Sequence, residues 1–542
     1  MCGFAGFLDR GGFADGEASH DGRYVLSYNG EIYNHLDLRR ELEAAGPIAW
    51  RGHSDTETLL QGFSKWGVVG TLERANGMFA LALWDRGERK LFLARDRMGE
   101  KPLYYGLQGG TLLFGSELKA LRQHPAWQGE VDRDVLTLFL RHNYVPGPYS
   151  IYRGIAKLPP AHYLEIGLDD DQLPDPVAFW DIAEKAQNGR AQPFAGAPDA
   201  AVDALARHAK RVAAHLGTDH TELYVTPQDA LDQIPILPHH WDEPFADSSQ
   251  MPTLLVSRLA RSEVTVSLSG DGGDELFCGY TRYTQGYDIW RRLGRMPRAV
   301  RKLAAGALRL TPADLIDGTM KMAPARLRKM AVGDRLLKVA DILDVEQAED
   351  FYRSLVSHSK DPAALVPGAH EPPTILTTPD HDWPAQGDFR DRMMYLDMRS
   401  YLPDDILVKL DRASMAVSLE SRVPLLDHRV VEFALSLPLK YKLRGGEAKW
   451  PLRQLLYRYV PREMMERPKM GFGVPIEHWL RGPLRSWADD MLAPDRLKRE
   501  GYFNADAIGR LWSDTRSGRR RMHYYVWDIL MFQAWLDAQS TA

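Results

Sequence analysis

The 542-residue chain has only two cysteines, Cys2 and Cys278. Two cannot build a disulfide framework, and without a C-x-x-C pair they offer no zinc-binding spacing. A reducing cytosol fits that usage. No apolar run is long enough to cross a bilayer. Asp9 and Arg10 stand where a signal peptide needs its apolar stretch. Charge of one sign is also scarce: 68 Lys and Arg against 73 Asp and Glu leave a net charge of −5. That balance gives no electrostatic ground for nucleic acid or an anionic membrane as a partner. Internal repeats and low-complexity tracts are absent. What remains is an ordinary globular composition, 44% hydrophobic and 26% charged, over a length that allows roughly two to four domains.

The texture of the chain divides it in two. Up to about residue 180, short apolar runs such as GMFALALWD, KLFLARD, PLYYG and LLFGSE are bounded by glycine or charge and read as strands. HLDLRRELEAAG and DTETLLQGFSKWG have the three-and-four spacing of helices. This predicts an α+β unit of layered sheets over residues 1–185. Asn188 to Pro198 reads as a linker. From there VDALARHAKRVAAHLG predicts a helix, and EVTVSLSGDGGDELF a strand, a glycine-rich turn and a helix. Helical patterns follow to the end, which predicts an α/β unit over 195–535 with a helical C-terminal part. Arg519-Arg520-Arg521 before MHYYVWDILMFQAW reads as a solvated start to a buried helix.

Removal of Met1 would make Cys2 the N-terminal residue, with its own α-amine as base. That amine titrates near ~8 and a free thiol near ~8.5, so the pair can act as an N-terminal nucleophile does. Asn29-Gly30-Glu31 offers a side-chain amide and a backbone N–H that can both donate to a developing oxyanion. By itself Asn-Gly reads first as a hairpin turn at a strand end. Glu31 and Asp55 are candidates for holding a substrate ammonium. In the second unit the turn around Ser269-Gly270 can present backbone N–H groups to an anion. Asp271 and Asp274 carry the carboxylates that Mg²⁺ takes together with phosphate oxygens.

Cys2-Gly3, NGEIYNH, GHSDTE, GMFALALWD, ARDRMGEKPLYY and FGSELKAL form an ordered set over residues 1 to about 165. This set resembles the class II glutamine amidotransferase domain, an N-terminal-nucleophile fold with αββα layers. The resemblance implies that Cys2 attacks the side-chain amide of glutamine. It makes Asn29 and Gly30 the oxyanion hole, and Glu31 and Asp55 the residues that hold the substrate amino acid. SLSGDGGDELFCGYTRY, WDEPFADSSQMPT, DDILVKLDRASMAVSLESRVPLLD, KWPLRQLL and RPKMGFGVP resemble the synthetase domain of the glutamine-dependent asparagine synthetases. That domain is an α/β, adenine-nucleotide α-hydrolase-like PP-loop unit that activates aspartate with ATP and Mg²⁺. The resemblance puts Ser269 and Gly270 at the nucleotide and Asp271 at formation of β-aspartyl-AMP. Asp274 goes to the metal and pyrophosphate, and Lys449 to the charged phosphate or the amide-forming transition state. Lys449 alone would read as an exposed helix lysine. Arg412 and Arg422 are expected to organise the site by ion pairing, and Cys278 to be a packing residue. Partners are then small molecules: glutamine, aspartate and ATP. A homodimer is left open.

The chain departs from this family in two places. Between the opening strand and NGEIYN it has neither the R-G-P-D stretch nor the R-R-L-[SA]-I stretch, whose arginine binds the glutamine carboxylate. Losing one charge-assisted hydrogen bond of ~1.5–3 kcal/mol weakens glutamine binding by roughly one to two powers of ten. Between PDAAVDAL and ARHAKRVAAHLGTDH it has no S-G-G-x-D-S pyrophosphate loop, nor the strands beside it. Their loss should expose the core of a parallel sheet. Three readings stay open: an asparagine synthetase, an amidotransferase acting on another carboxylate acceptor, and a catalytically impaired paralogue.

Overall fold

The computed structural model describes residues 3–8, 17–168, 170, 172–196, 201, 227–310, 342–378, 387–462, 474–517 and 522–541. Ten strands run through the described part of the first unit. They are β1 (Ala5–Leu8), β2 (Glu17–Ala18), β3 (Tyr24–Ile32), β4 (Gly77–Asp85), β5 (Lys90–Arg95), β6 (Tyr104–Gln108), β7 (Thr111–Gly115), β8 (Ala156–Lys157), β9 (His162–Gly167) and β10 (Val177–Ala178). They form one sheet in the order β1-β7-β6-β8 and another in the order β10-β9-β5-β4-β3-β2.

Side chains alternate between the faces of a strand, and that alternation assembles the layers. Ala80, Ala82 and Trp84 of β4 face the smaller sheet and share one buried layer with Leu93, Tyr105 and Phe114. Phe79, Leu81 and Leu83 point the other way. They pack with Leu38 of α1 (His35–Ala44) and with Leu59 and Phe63 of α2 (Asp55–Arg74). Beyond the smaller sheet, Tyr104 and Leu113 meet α3 (Leu118–Leu121) and α4 (Arg133–His142). The order helix, sheet, sheet, helix is the αββα arrangement expected. Ser54 starts α2, its hydroxyl accepting from Glu57 N at 3.2 Å. Gly67, at φ +73°, breaks α2 where the apolar pattern DTETLLQGFSKWG ends.

Two expectations change. Asn29-Gly30 is not a hairpin turn: both residues lie inside β3, paired with Ala80 and Phe79 of β4. The expected linker begins as helix, because α5 (Ile182–Ala191) runs through Asn188.

In the second unit β11 (Val266–Leu268) pairs in parallel with β12 (Glu420–Arg422). Among the described residues these two strands and a short hairpin of Leu443–Arg444 with Glu447–Ala448 are the only sheets there. Val264, Val266 and Leu268 are 44%, 39% and 53% exposed, and among the described residues β11 has no strand neighbour besides β12. The C-terminal helix His523–Thr541 buries Trp527, Phe532 and Trp535. Trp527 Nε1 donates to Ala246 O at 3.0 Å and Trp535 Nε1 to Asp242 O at 3.1 Å, so both indole N–H groups are satisfied. The same core takes in Tyr104, Phe139 and Ile151 from the first unit, so the two units share buried surface. Cys2, the expected helix over VDALARHAKRVAAHLG, the arginine cluster 519–521 and most of RPKMGFGVP lie outside the described residues.

Candidate active sites

β3 positions three of the expected glutamine-site residues. Asn29 is buried, and its Nδ2 donates to Ser116 Oγ at 3.3 Å. Gly3 packs on the same side chain: a Cβ there would stand 2.7 Å from Ser116 Cβ and 3.8 Å from Asn29 Nδ2. Ser116 N donates to Phe4 O at 2.8 Å, and Phe4 N to Ser116 Oγ at 3.4 Å. The residue that follows Cys2 is therefore held beside Asn29. Sequence reasoning missed Ser116, although it stands in the FGSELKAL motif. Gly30 is needed for packing, since a Cβ would fall 2.2 Å from Met78 O across the ladder.

Asp55 opens α2. Its Oδ2 accepts from the Tyr28 hydroxyl at 2.8 Å and from Ile32 N at 2.9 Å. Those bonds tie the helix start to the strand that carries Glu31. Burial and then the negative charge of Asp55 push the Glu31 carboxyl above its usual range. A carboxyl group raised by a neighbouring negative charge is favoured in its ionised form by a bound cation such as an amino-acid ammonium. Arg422, from β12 of the other unit, opposes the shift from 3.7 Å away.

The second site is built around the turn after β11. Ser269 N donates to Arg422 O at 2.8 Å, and the Ser269 hydroxyl donates to Asp271 Oδ2. A Cβ on Gly270 would meet nothing within 4 Å, so that backbone faces open space. Asp274 pairs with Lys449 at 2.9 Å. Lys449 is not a helix-surface residue as its motif alone suggested. It sits at φ +55° ahead of the helix Trp450–Leu456, with its N–H on Phe277 O at 3.1 Å. A non-glycine residue held left-handed carries strain, which surrounding contacts must enforce. Gly279 permits the arrangement, for a Cβ there would lie 2.1 Å from Asp274 Oδ1 and 2.2 Å from Lys449 Cε. No motif reading pointed to Gly279. Cys278 is fully buried and its thiol is pushed up to about 11 by burial, which fits a packing residue and not a nucleophile.

Buried hydrogen bonds and ion pairs join the two units. Arg412, in the helix Leu407–Met415, donates to Ser116 O at 2.8 Å and pairs with Asp242 at 2.8 Å. Lys101 pairs with Asp411 at 3.2 Å and Lys157 with Glu243 at 2.7 Å. Arg412, expected at the synthetase site, is thus bonded to Ser116 of the first unit. Among the described residues no group of three or more His, Cys, Asp or Glu is placed to hold a metal. One or two carboxylates beside phosphate oxygens suffice for Mg²⁺, and Asp271 and Asp274 fit that donor set.

The family described as Asparagine synthase matches residues 191–537. The Glutamine amidotransferase domain family matches residues 16–178. A Mycobacterium bovis protein, whose name assigns it provisionally to the glutamine-hydrolyzing asparagine synthetases, is 31% identical over 572 positions, covering 95% of this chain and 84% of its own. Asparagine synthetase (glutamine-hydrolyzing) 1 of Bacillus subtilis is 27% identical, covering 95% and 85%. The first alignment is longer than the 542 residues of this chain, so the relative carries internal residues that this chain lacks. No helix among the described residues is long and apolar enough to cross a membrane. The chain belongs to the asparagine synthase family, whose members are ATP-dependent amidotransferase ligases, and carries a glutamine amidotransferase domain ahead of its synthetase domain.

Proposed function

We propose that the protein is a glutamine-hydrolysing asparagine synthetase: ATP, L-aspartate and L-glutamine give L-asparagine, L-glutamate, AMP and pyrophosphate. Residues 1–185 are the glutaminase and residues 195–535 the synthetase, working on small molecules in the cytosol. The observation that carries this reading is the clamp of Gly3 and Asn29 on Ser116, beside Glu31 and Asp55, in a chain whose second residue is cysteine.

Cys2 Sγ attacks the glutamine side-chain carbonyl carbon while the α-amine takes the thiol proton. Asn29 Nδ2 and Gly30 N–H donate to the oxyanion, and Glu31 with Asp55 holds the substrate ammonium. The C–N bond breaks, ammonia leaves, and water later releases glutamate from the thioester. At the second site the aspartate β-carboxylate attacks the α-phosphorus of ATP and displaces pyrophosphate. Ser269 and Gly270 approach the nucleotide, and Asp271 serves formation of the acyl adenylate. Asp274 would hold Mg²⁺, which supplies neutralisation of phosphate charge. Lys449, paired with Asp274, does the same from the protein side. Ammonia crosses the shared interior and displaces AMP.

The test is to measure glutamate, asparagine and AMP together from glutamine, aspartate and ATP. Equal amounts of all three support the reading. An impaired synthetase half is the second reading, favoured by the absence of the S-G-G-x-D-S loop from the sequence. It predicts glutamate without AMP. Activity only with another carboxylic acid in place of aspartate would move the proposal to a different acceptor.

A further inference from the structure

Glutamine is a zwitterion at its α-carbon, and a site that selects it needs an anionic and a cationic pole side by side. Glu31 beside Asp55 supplies the anionic pole. The glutaminase unit lacks the R-R-L-[SA]-I stretch that would bring the arginine. The structure places another guanidinium there. Arg422 Nη2 stands 3.7 Å from Glu31 Oε2, and the group lies over the Tyr33 ring at 5.6 Å. At 3.7 Å the contact with Glu31 is a loose ion pair and not a hydrogen bond, so that end of the fork can turn to a ligand. The other end is anchored: Nε donates to Glu420 at 2.6 Å, and Arg422 O accepts from Ser269 N at 2.8 Å. Arg422 is about a third exposed, as is Glu31, which fits residues at the rim of a site.

We propose that Arg422, from the synthetase unit, binds the α-carboxylate of glutamine, so that the glutamine site is completed across the two units. The inference rests on the glutaminase reading above. Once the substrate ammonium lies against Glu31, the ion pair between Glu31 and Arg422 is replaced by two substrate-mediated ones. Each pole of the amino acid then meets a group of opposite charge. The guanidinium fork suits a carboxylate better than an ammonium does. The bond from Ser269 to Arg422 also makes this residue the backbone anchor of the nucleotide turn, so the two sites meet at one residue.

The experiment uses the full chain and two substrates, L-glutamine and L-glutaminamide, whose α-carboxylate is replaced by a neutral amide. Glutamate or glutamic α-amide release is followed against substrate concentration. The wild type should prefer glutamine in kcat/KM by about 10- to 100-fold, the worth of a charge-assisted bond. Arg422→Gln should raise the KM for glutamine by that factor, change kcat a few-fold at most, and bring the two substrates to near parity. Arg422→Lys, with its charge kept but its fork lost, should restore part of the preference. A purely structural role for Arg422 would lower both substrates alike and leave their ratio intact; that result overturns the proposal. A wild type that hydrolyses neither substrate overturns the glutaminase reading and this inference with it, whereas an active wild type with an unchanged ratio in the variant overturns the inference alone.

Discussion

The two halves of this molecule hold their candidate sites by different means. The glutamine site stands on backbone pairing. Asn29, Gly30 and Glu31 are consecutive residues of a nine-residue strand laddered to β4 along its whole length, and β1 fixes Gly3 through its pairing with β7. The nucleotide site stands on side chains and strained backbone. It depends on a three-residue strand, an ion pair between Asp274 and Lys449, and Lys449 in a left-handed conformation. Local opening takes little free energy where few buried contacts oppose it. A laddered site should therefore tolerate a lost side-chain contact better than a site held by ion pairs.

The variants that separate the halves have the largest effects. Cys2→Ala should abolish glutamate release and glutamine-dependent asparagine formation while ammonia-dependent synthesis continues, because only the ammonia source is removed. Glutaminase activity at the normal rate in that variant would show that the nucleophile is elsewhere. Asp271→Ala is the mirror experiment: AMP formation should be lost and glutamate release retained, as read by following both products in one reaction. If both activities fell together, the sites would be one cooperative unit and the contrast between the halves would fail.

A smaller effect is expected at Asn29. Asn29→Ala removes one oxyanion donor and should lower kcat for glutamine by about 10²–10³, with unfolding temperature little changed, because the β3–β4 ladder stays. A change of only a few-fold in kcat would assign Asn29 to packing against Ser116 alone.

The smallest effect concerns pH. Glu275, next to Asp274, is buried, and burial pushes its carboxyl up to about 7. Below about 4.5 it is protonated in both folded and unfolded chains. Between 4.5 and 7 the unfolded chain releases the proton and the folded chain keeps it, so stability falls as pH rises, and the loss is complete above 7. The magnitude is on the order of 3 kcal/mol. Glu275→Gln should flatten that part of the stability curve between pH 5 and pH 8 in denaturant unfolding. An unchanged slope would place the ionisation elsewhere. The glutaminase activity of the variant should follow the wild type.

Much of the first half was legible because strand alternation and helix spacing are local. GMFALALWD became β4 and HLDLRRELEAAG became α1 with little change of bounds. Asn29-Gly30 was misread for a physical reason. The pair favours a turn when nothing else decides, and here the decision belongs to β4, which lies 50 residues away in sequence and approaches so closely that only glycine fits opposite Phe79. Ser116 and Gly279 were missed because their roles arise from contacts between distant segments. Ser116 meets Asn29, Phe4 and Arg412; Gly279 makes room for Asp274 and Lys449. Arg422 was expected to form ion pairs, but its reach to Glu31 had no signal in the sequence, because it depends on how the two units dock. In the second half the motifs marked the turn after β11. The left-handed backbone of Lys449 had no sequence signal.

The most direct test of the account is the stoichiometry of a single reaction containing glutamine, aspartate, ATP and Mg²⁺, with glutamate, AMP and asparagine measured at the same time points. The account predicts that the three appear in a 1:1:1 ratio, and that omitting aspartate removes AMP and asparagine together. Glutamate accumulating with no AMP, at any concentration of aspartate, would contradict it and leave a glutaminase joined to a synthetase fold that no longer activates its acceptor.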